Sequence, residues 1–462
     1  MVLLLAAAPS RAAQREAVST RAKLDFTPFI GPSRDRAELI PVLAGDLVLA
    51  TTTLRLFAFD ACSTQLRWSA GPPDGWDELE LDARAELFEG LGKRLWVEPA
   101  VGESVVVAAL QIPMSRRKNE DWQGITIMTA LPERRLFAFE LGTGRPLWNH
   151  APPPDWDGDS GPHAQRMSLI GSPTIVGQHV IAASSSDESS IDYHVSCYQL
   201  ATGSLVWSTF VVRGQMERNM YAFAPWEFSA APLVAVRERG WVLAQTGLGL
   251  IAALDLATGE IQWRTEYETI PLPKTRSYSP PRRETVWRMS PPIVVGDVVL
   301  ATPPDSRELL ALDLADGHAL WKVSARWLAA LDTGTQLLAF DHLIGADEGA
   351  IYLGGAKISA LVKRKGLQSA SRIEPLWTER VERPDVSGRW QLARDELLLP
   401  GPMPDQESGI RKNEQPVVCR VIEKQNGKGK SGPLLGGTTR GLLVTDEAIY
   451  ALGYDGLERI ER

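Results

Sequence analysis

"LIAALDLATGEIQWRT", residues 250–265, carries a strand, a tight turn and a second strand in sixteen letters. Leu250, Ala252 and Leu254 alternate as one face of a β-strand does. Asp255 to Gly259 read as the turn, because an aspartate can hydrogen-bond its own backbone and glycine accepts positive φ. "EIQWRT" then reads as the returning strand, with Trp263 in its middle.

The stretch recurs. "LFAFDACSTQLRWSA" holds Trp68, "LFAFELGTGRPLWNH" holds Trp148, "VSCYQLATGSLVWST" holds Trp207, and "LLALDLADGHALWKV" holds Trp321 with Asp313 and Gly317 in its turn. A degenerate copy, "ISALVKRKGLQSASRIEPLWTE", ends at Trp377. The tryptophans are spaced by 80, 59, 56, 58 and 56 residues, and a near-constant period of this size marks a repeat architecture. Upstream of the motif lies a second recurring half-unit, seen in "IPVLAGDLVLATT" (41–53), "SPTIVGQHVIAAS" (172–184) and "PPIVVGDVVLATP" (291–303). Each is an apolar strand, a glycine turn and a β-branched strand.

Four short antiparallel strands per unit describe the blade of a β-propeller. On this reading the chain is all-β, a single propeller of four-stranded antiparallel blades. Six units end in tryptophan. Residues 395–428 read as a seventh without one, and 441–460 as an eighth, so the expectation is eight blades, with seven if the last two units share a sheet. The tryptophans then have a structural use. A ring at the outer edge of a blade can bury ~150–250 Å² against its neighbour while its N–H meets a main-chain carbonyl. Trp68, Trp148, Trp207, Trp263, Trp321 and Trp377, with Asp255, Gly259, Asp313 and Gly317 in the turns, are the expected blade-docking residues. Each turn is expected to hold the ring of its own motif.

The pattern Ala-x-Asp-x-x-Thr-Gly-Glu-x-x-Trp over residues 253–263 resembles the tryptophan-docking motif of the PQQ-like (quinoprotein alcohol dehydrogenase-like) β-propeller family, as do Ala138–Trp148 and Ala311–Trp321 with one or two changes each. The resemblance covers residues 35–462; residues 1–34 are set apart as a leader or helical tail. The family's quinone-dependent dehydrogenases carry a vicinal cysteine pair, calcium ligands and a catalytic aspartate. Cys62, Cys197 and Cys419 are far apart here, and no surrounding motif receives the other residues. The resemblance therefore implies the BamB-like branch, which binds no cofactor and uses the ring as a scaffold for another protein or an envelope polymer. A periplasmic or cell-envelope location follows from the same resemblance. A PQQ- and calcium-dependent dehydrogenase is the alternative, and a sensor or adhesion module of a larger envelope protein is a third reading.

Chemistry-bearing motifs are weak elsewhere. Asp155, Asp157 and Asp159 begin like a calcium loop, but Ser160 and Arg166 stand where that loop needs Gly and Glu. Gly429-Lys430-Ser431 ends like a phosphate-binding loop, but Lys424 replaces its first glycine. The six histidines lack zinc-ligand spacing, no CxxC occurs and no GxSxG appears. The sequence thus nominates no catalytic, cofactor-binding or metal-binding residue. A net charge of -8 argues against a nucleic-acid partner, which favours a basic field. No apolar run reaches the roughly 18–20 residues that span a bilayer. The N-terminal "MVLLLAAAPSRAAQ" has an apolar stretch and small residues but no basic residue ahead of them, so a signal peptide and the tail of a longer parent protein both remain open.

Among the long connections, "DELELDARAELFEGLG" (77–92) places Leu81, Ala85 and Phe88 at helical spacing. "PMSRRKNEDWQG" (113–124) reads as a charged, solvated loop. "APPPDWDGDSGPH" (151–163) and "IPLPKTRSYSPPRRE" (270–284) read as proline-rich connections between blades, the second with a small basic patch at Arg276, Arg282 and Arg283.

Overall fold

The structure, a computed structural model, describes residues 20–21, 39–52, 54–72, 98–122, 125–150, 168–186, 190–214, 228–271, 286–330, 340–355, 357–362, 366–369, 373–380, 391–402, 417–435, 439–453 and 456–462. The readings of the N-terminal segment other than Thr20–Arg21, the 77–92 helix, the 151–163 loop, the Asp155–Asp159 run and the basic patch lie outside these residues.

Eight antiparallel sheets follow one another along the chain. Blades 1 to 7 comprise residues 42–70, 100–150, 168–214, 234–266, 293–324, 342–380 and 391–435. Blade 8 is built from Thr439–Val444, Ala448–Gly453 and Gly456–Glu461. Its outermost strand comes from the other end of the chain, where Thr20 pairs with Arg459 and Arg21 with Glu458. The last two units form separate sheets, so the count is eight and not seven. In blade 3 the innermost strand is split into Ser168–Leu169 and Thr174–Val176, both paired with His179–Ser186.

Burial explains the strand composition. The middle strands are sandwiched between neighbouring blades and are apolar on both faces, as in Leu56–Asp60 and Leu250–Asp255. The buried apolar residues divide into eight clusters, and each cluster joins one blade to the next. Ala252 and Leu254 pack toward blade 3 while Ile251 and Ala253 pack toward blade 5, so the period of two serves both seams. The outermost strands have one exposed face, which is why their alternation reads more clearly in the sequence.

Strand direction sorts the connections. Because four strands alternate in direction, the first-to-second and third-to-fourth turns leave from one end of every blade. The second-to-third turns and the links between blades leave from the other. The first set is short and uniform, as in 45–46, 256–260 and 314–318, with residues 363–373 of blade 6 as the long exception. The second set holds 71–99, 151–167, 215–233, 267–292, 325–341 and 403–416. The ring therefore has a turn face and a loop face.

Residues 113–122, expected as a loop, instead extend the strand Val105–Trp122, which pairs with Ile125–Glu140 from Val105↔Glu140 to Trp122↔Ile125. Charge misled the reading. A two-stranded ribbon that rises beyond the ring tolerates charged residues on one strand when the β-branched run "ITIMT" supplies the other.

Candidate functional site

The joints between blades are built from the repeated motif. Asp255 closes its turn with its own side chain: Oδ1 accepts from the N–H groups of Ala257 and Thr258, both at 2.9 Å, and from Thr258 Oγ1 at 3.1 Å. The Gly259 N–H donates to the Asp255 carbonyl at 2.9 Å. Asp313 and Gly317 repeat this in blade 5, with Asp313 Oδ1 accepting from Ala315 N–H at 2.7 Å. Both glycines have φ of 76°. In blade 1, Asp60 gathers the Cys62 and Ser63 N–H groups, the Ser63 hydroxyl and Arg67, and these donors hold its carboxyl well below the usual carboxylate range.

Each tryptophan reaches forward to the next blade. Nε1 of Trp68 donates to Leu141 O (3.0 Å), Trp148 to Leu200 O (2.9 Å) and Trp207 to Leu256 O (3.1 Å). Trp263 donates to Leu314 O (2.9 Å), Trp321 to Leu367 O (2.6 Å) and Trp377 to Lys424 O (2.7 Å). Five of the rings lie flat on a glycine of the receiving turn. A Cβ added to Gly144, Gly203, Gly259, Gly317 or Gly427 would stand 2.4–2.7 Å from the indole of Trp68, Trp148, Trp207, Trp263 or Trp377 respectively. The ring of a motif is thus held by the following turn and not by its own, which corrects the sequence reading. Its own turn receives the ring of the blade before. One signal was available in the sequence: "DACST" has Thr64 where the turns at 140–144, 199–203, 255–259 and 313–317 end in glycine, and residues 1–59 hold no tryptophan.

On the loop face, side chains tie the starts of the long connections to the next blade. Asp305 of blade 5 accepts from Gly249 N–H at 3.0 Å and Tyr267 hydroxyl at 2.8 Å, both on blade 4 or its exit. Gln245 Nε2 donates to Ser290 O at 3.1 Å, and Thr174 Oγ1 to Leu233 O at 2.8 Å. The long loops therefore spring from fixed points.

The innermost strands line the axis. Among the described residues they are mostly aliphatic, with Ser168, Thr174, Gln391 and Thr439 as neutral polar members, His342 and Arg440 as ionisable ones, and no carboxylate. The dehydrogenase alternative implies a quinone held with calcium, and calcium takes oxygen ligands. These axial residues do not fit such a group, and no chemical step is drawn through it. Among the described residues, Asp313, Asp316 and His318 converge on the turn face of blade 5, where His318 Nδ1 and Asp316 Oδ1 are 2.6 Å apart and solvent-exposed.

A family model described as "Outer membrane protein assembly factor BamB" matches residues 36–322 and again 191–373. The chain belongs to this PQQ-like propeller family. No curated protein matches it in sequence. Among solved structures, BamB from Moraxella catarrhalis aligns with 14% identity and a TM-score of 0.52, covering 96% of this chain and 99% of that one. The quinohemoprotein alcohol dehydrogenase from Comamonas testosteroni aligns with 14% identity and a TM-score of 0.55, over 94% of this chain and 71% of that one. The quinohemoprotein alcohol dehydrogenase ADHIIG from Pseudomonas putida HK5 gives 14% and 0.54, over 97% and 74%. At these identities the likeness shows the PQQ-like fold, which assembly factors and dehydrogenases share. No helix among the described residues is long and apolar enough to cross a membrane.

Proposed function

We propose that this PQQ-like propeller is a non-enzymatic scaffold of the cell envelope that binds another protein, or an envelope polymer, through its loop face. The observation that carries the reading is the division of the ring into two unlike faces. Nearly all of the chain's extra length emerges on one face, including the ribbon around Trp122 and Ile125, while the other face is closed by short turns. Loops raised on a rigid frame are where binding residues gather. The described innermost strands, which carry no carboxylate, support the same reading, since a calcium-held quinone would want carboxylates there. The tryptophans and their glycine turns serve the frame on this reading, and the family match to an assembly factor favours a protein partner.

The test has two arms. Purified protein titrated calorimetrically with PQQ, with and without calcium, should show no heat of binding, and dye-linked alcohol oxidation should be absent. Calcium-dependent quinone binding with turnover would replace the scaffold with a dehydrogenase. In the second arm, residues 115–132 are replaced by a two-residue turn and both forms are used to capture partners from envelope fractions. A partner held by the full chain and lost from the shortened one, with an unchanged melting temperature, supports the loop face. A partner held equally by both removes the ribbon from the site.

A further inference from the structure

Blade 8 differs from the others at both of its seams. In blades 1 to 5 the tryptophan stands eight residues after the acid or amide that begins the turn, as Asp255 precedes Trp263 and Asp313 precedes Trp321. In blade 7 the turn begins at Glu423, where Gly427 N–H donates to Glu423 O, and the eighth residue is Ser431. The seam from blade 7 to blade 8 thus has no indole. At the seam from blade 8 to blade 1, the residue opposite Arg459 holds the tryptophan's register, and that residue is Thr20. The receiving turn of blade 1 matches: Thr64 stands at the glycine position with φ of 59°.

A different contact crosses the first of these seams. The Arg462 guanidinium, at the end of the third strand of blade 8, pairs with the Glu396 carboxylate of blade 7 and also donates to Thr445 O at 3.1 Å. Glu396 lies 3.8 Å from Lys430 Nζ, and Lys430 is 2.7 Å from Glu423. Both members of the crossing pair are about a quarter exposed. An indole that meets a main-chain carbonyl has no net charge for salt to screen, whereas an ion pair about a quarter exposed is weakened by it. Beneath the pair lies an apolar cluster joining Leu398, Cys419 and Val421 to Leu442, Ile449 and Ile460, so the seam is packed but lacks the clamp used elsewhere.

We propose that blade 8 is the release point of the ring, and that the Arg462–Glu396 pair is a salt-sensitive latch on its seam with blade 7. This goes beyond the scaffold reading and does not depend on it. At six seams an indole crosses to a main-chain carbonyl of the next blade; opening requires the fewest clamped contacts where no such indole stands on either side of one blade. Local opening of this kind draws on the least stable part of a structure and is read by amide exchange.

The experiment is hydrogen exchange followed by mass spectrometry on the full chain at low and high salt. Peptides covering 439–444, 448–453 and 456–461 should exchange faster than the corresponding strands of blades 3 to 5. Raising salt should speed blade 8 by about two- to fivefold and leave blades 3 to 5 unchanged, the range an ion pair of this exposure commands. Arg462→Leu and, independently, Glu396→Gln should give the fast pattern already at low salt. Uniform protection around the ring, or faster opening at a tryptophan-clamped seam, would overturn the release point. Fast but salt-independent exchange in blade 8, unaltered by either substitution, would overturn the latch.

Discussion

Trp263 and Gly317 are two halves of one joint contributed by consecutive blades: a Cβ on Gly317 would stand 2.4 Å from Cε3 of the indole, whose Nε1 donates to Leu314 O at 2.9 Å. The glycine therefore has two duties. It takes the positive φ that ends the turn, and its missing side chain lets the ring lie on the backbone. The pairing accounts for the co-occurrence of glycine turn and tryptophan in the repeat, although the two that touch belong to different copies.

Trp263 is 7% exposed and belongs to the cluster between blades 4 and 5. Trp263→Ala should destabilise by about 3–5 kcal/mol, the usual cost of truncating a buried aromatic. Trp263→Phe keeps much of the burial but strands the Leu314 carbonyl, and should cost about 1–3 kcal/mol. Urea unfolding of the three proteins checks the order. An unmoved midpoint for the alanine variant would mean the ring does not bear on the seam.

Gly317 and Gly45 separate the two duties. Both have positive φ, but a Cβ on Gly45 would meet nothing within 4 Å. Gly45→Ala should cost about 1–2 kcal/mol, the backbone term alone. Gly317→Ala adds the collision with the indole and should cost about 1–3 kcal/mol more. Equal losses in thermal melts would show that the close approach of ring and backbone is not what selects glycine.

The repeat and the blade count were legible because the units keep their strand pattern even where Ser431 and Thr20 stand in the tryptophan's place. The partner of each ring was not, because period and turn chemistry are local signals while the Trp263–Gly317 contact is between copies. The ribbon of residues 105–140 was half legible: "ITIMT" has strand composition, but "SRRKNED" has none, and only its pairing reveals it. The two unlike faces were implicit in the alternation of strand direction. They became plain in the strand order, where the long connections, 363–373 excepted, all leave from the same end of the blades.

The cysteines report on the seams. Cys197 and Cys419 are fully buried and Cys62 is exposed. Burial pushes both inner thiols up to about 12 from an ordinary value of 9.0. A thiol whose folded pKa is raised contributes its full stability below the unfolded value and loses it as pH rises past that value. Stability should therefore hold to about pH 9 and then fall, by about 1 kcal/mol per thiol at pH 10. The difference in urea midpoint between the natural protein and a Cys197→Ala, Cys419→Ala variant isolates this term from other titrations. In native protein at pH 8 a thiol reagent should modify Cys62 rapidly and Cys197, buried between blades 3 and 4, only on unfolding.

Asp255 tests whether a turn acts for its own blade or for the one before. Its carboxylate closes the turn that receives Trp207, since Gly259 lies under that ring and Thr209 Oγ1 donates to Gly259 O at 2.8 Å. Asp255→Ala removes the side-chain acceptor for two N–H groups and should cost about 1 kcal/mol. In a double-mutant cycle, the loss should overlap with that of Trp207→Ala, with a coupling of about 0.5–1 kcal/mol, because both act on one joint. It should be additive with Trp263→Ala, whose ring rests on the next turn. Coupling to Trp263 and not to Trp207 would restore the reading in which each motif holds its own tryptophan.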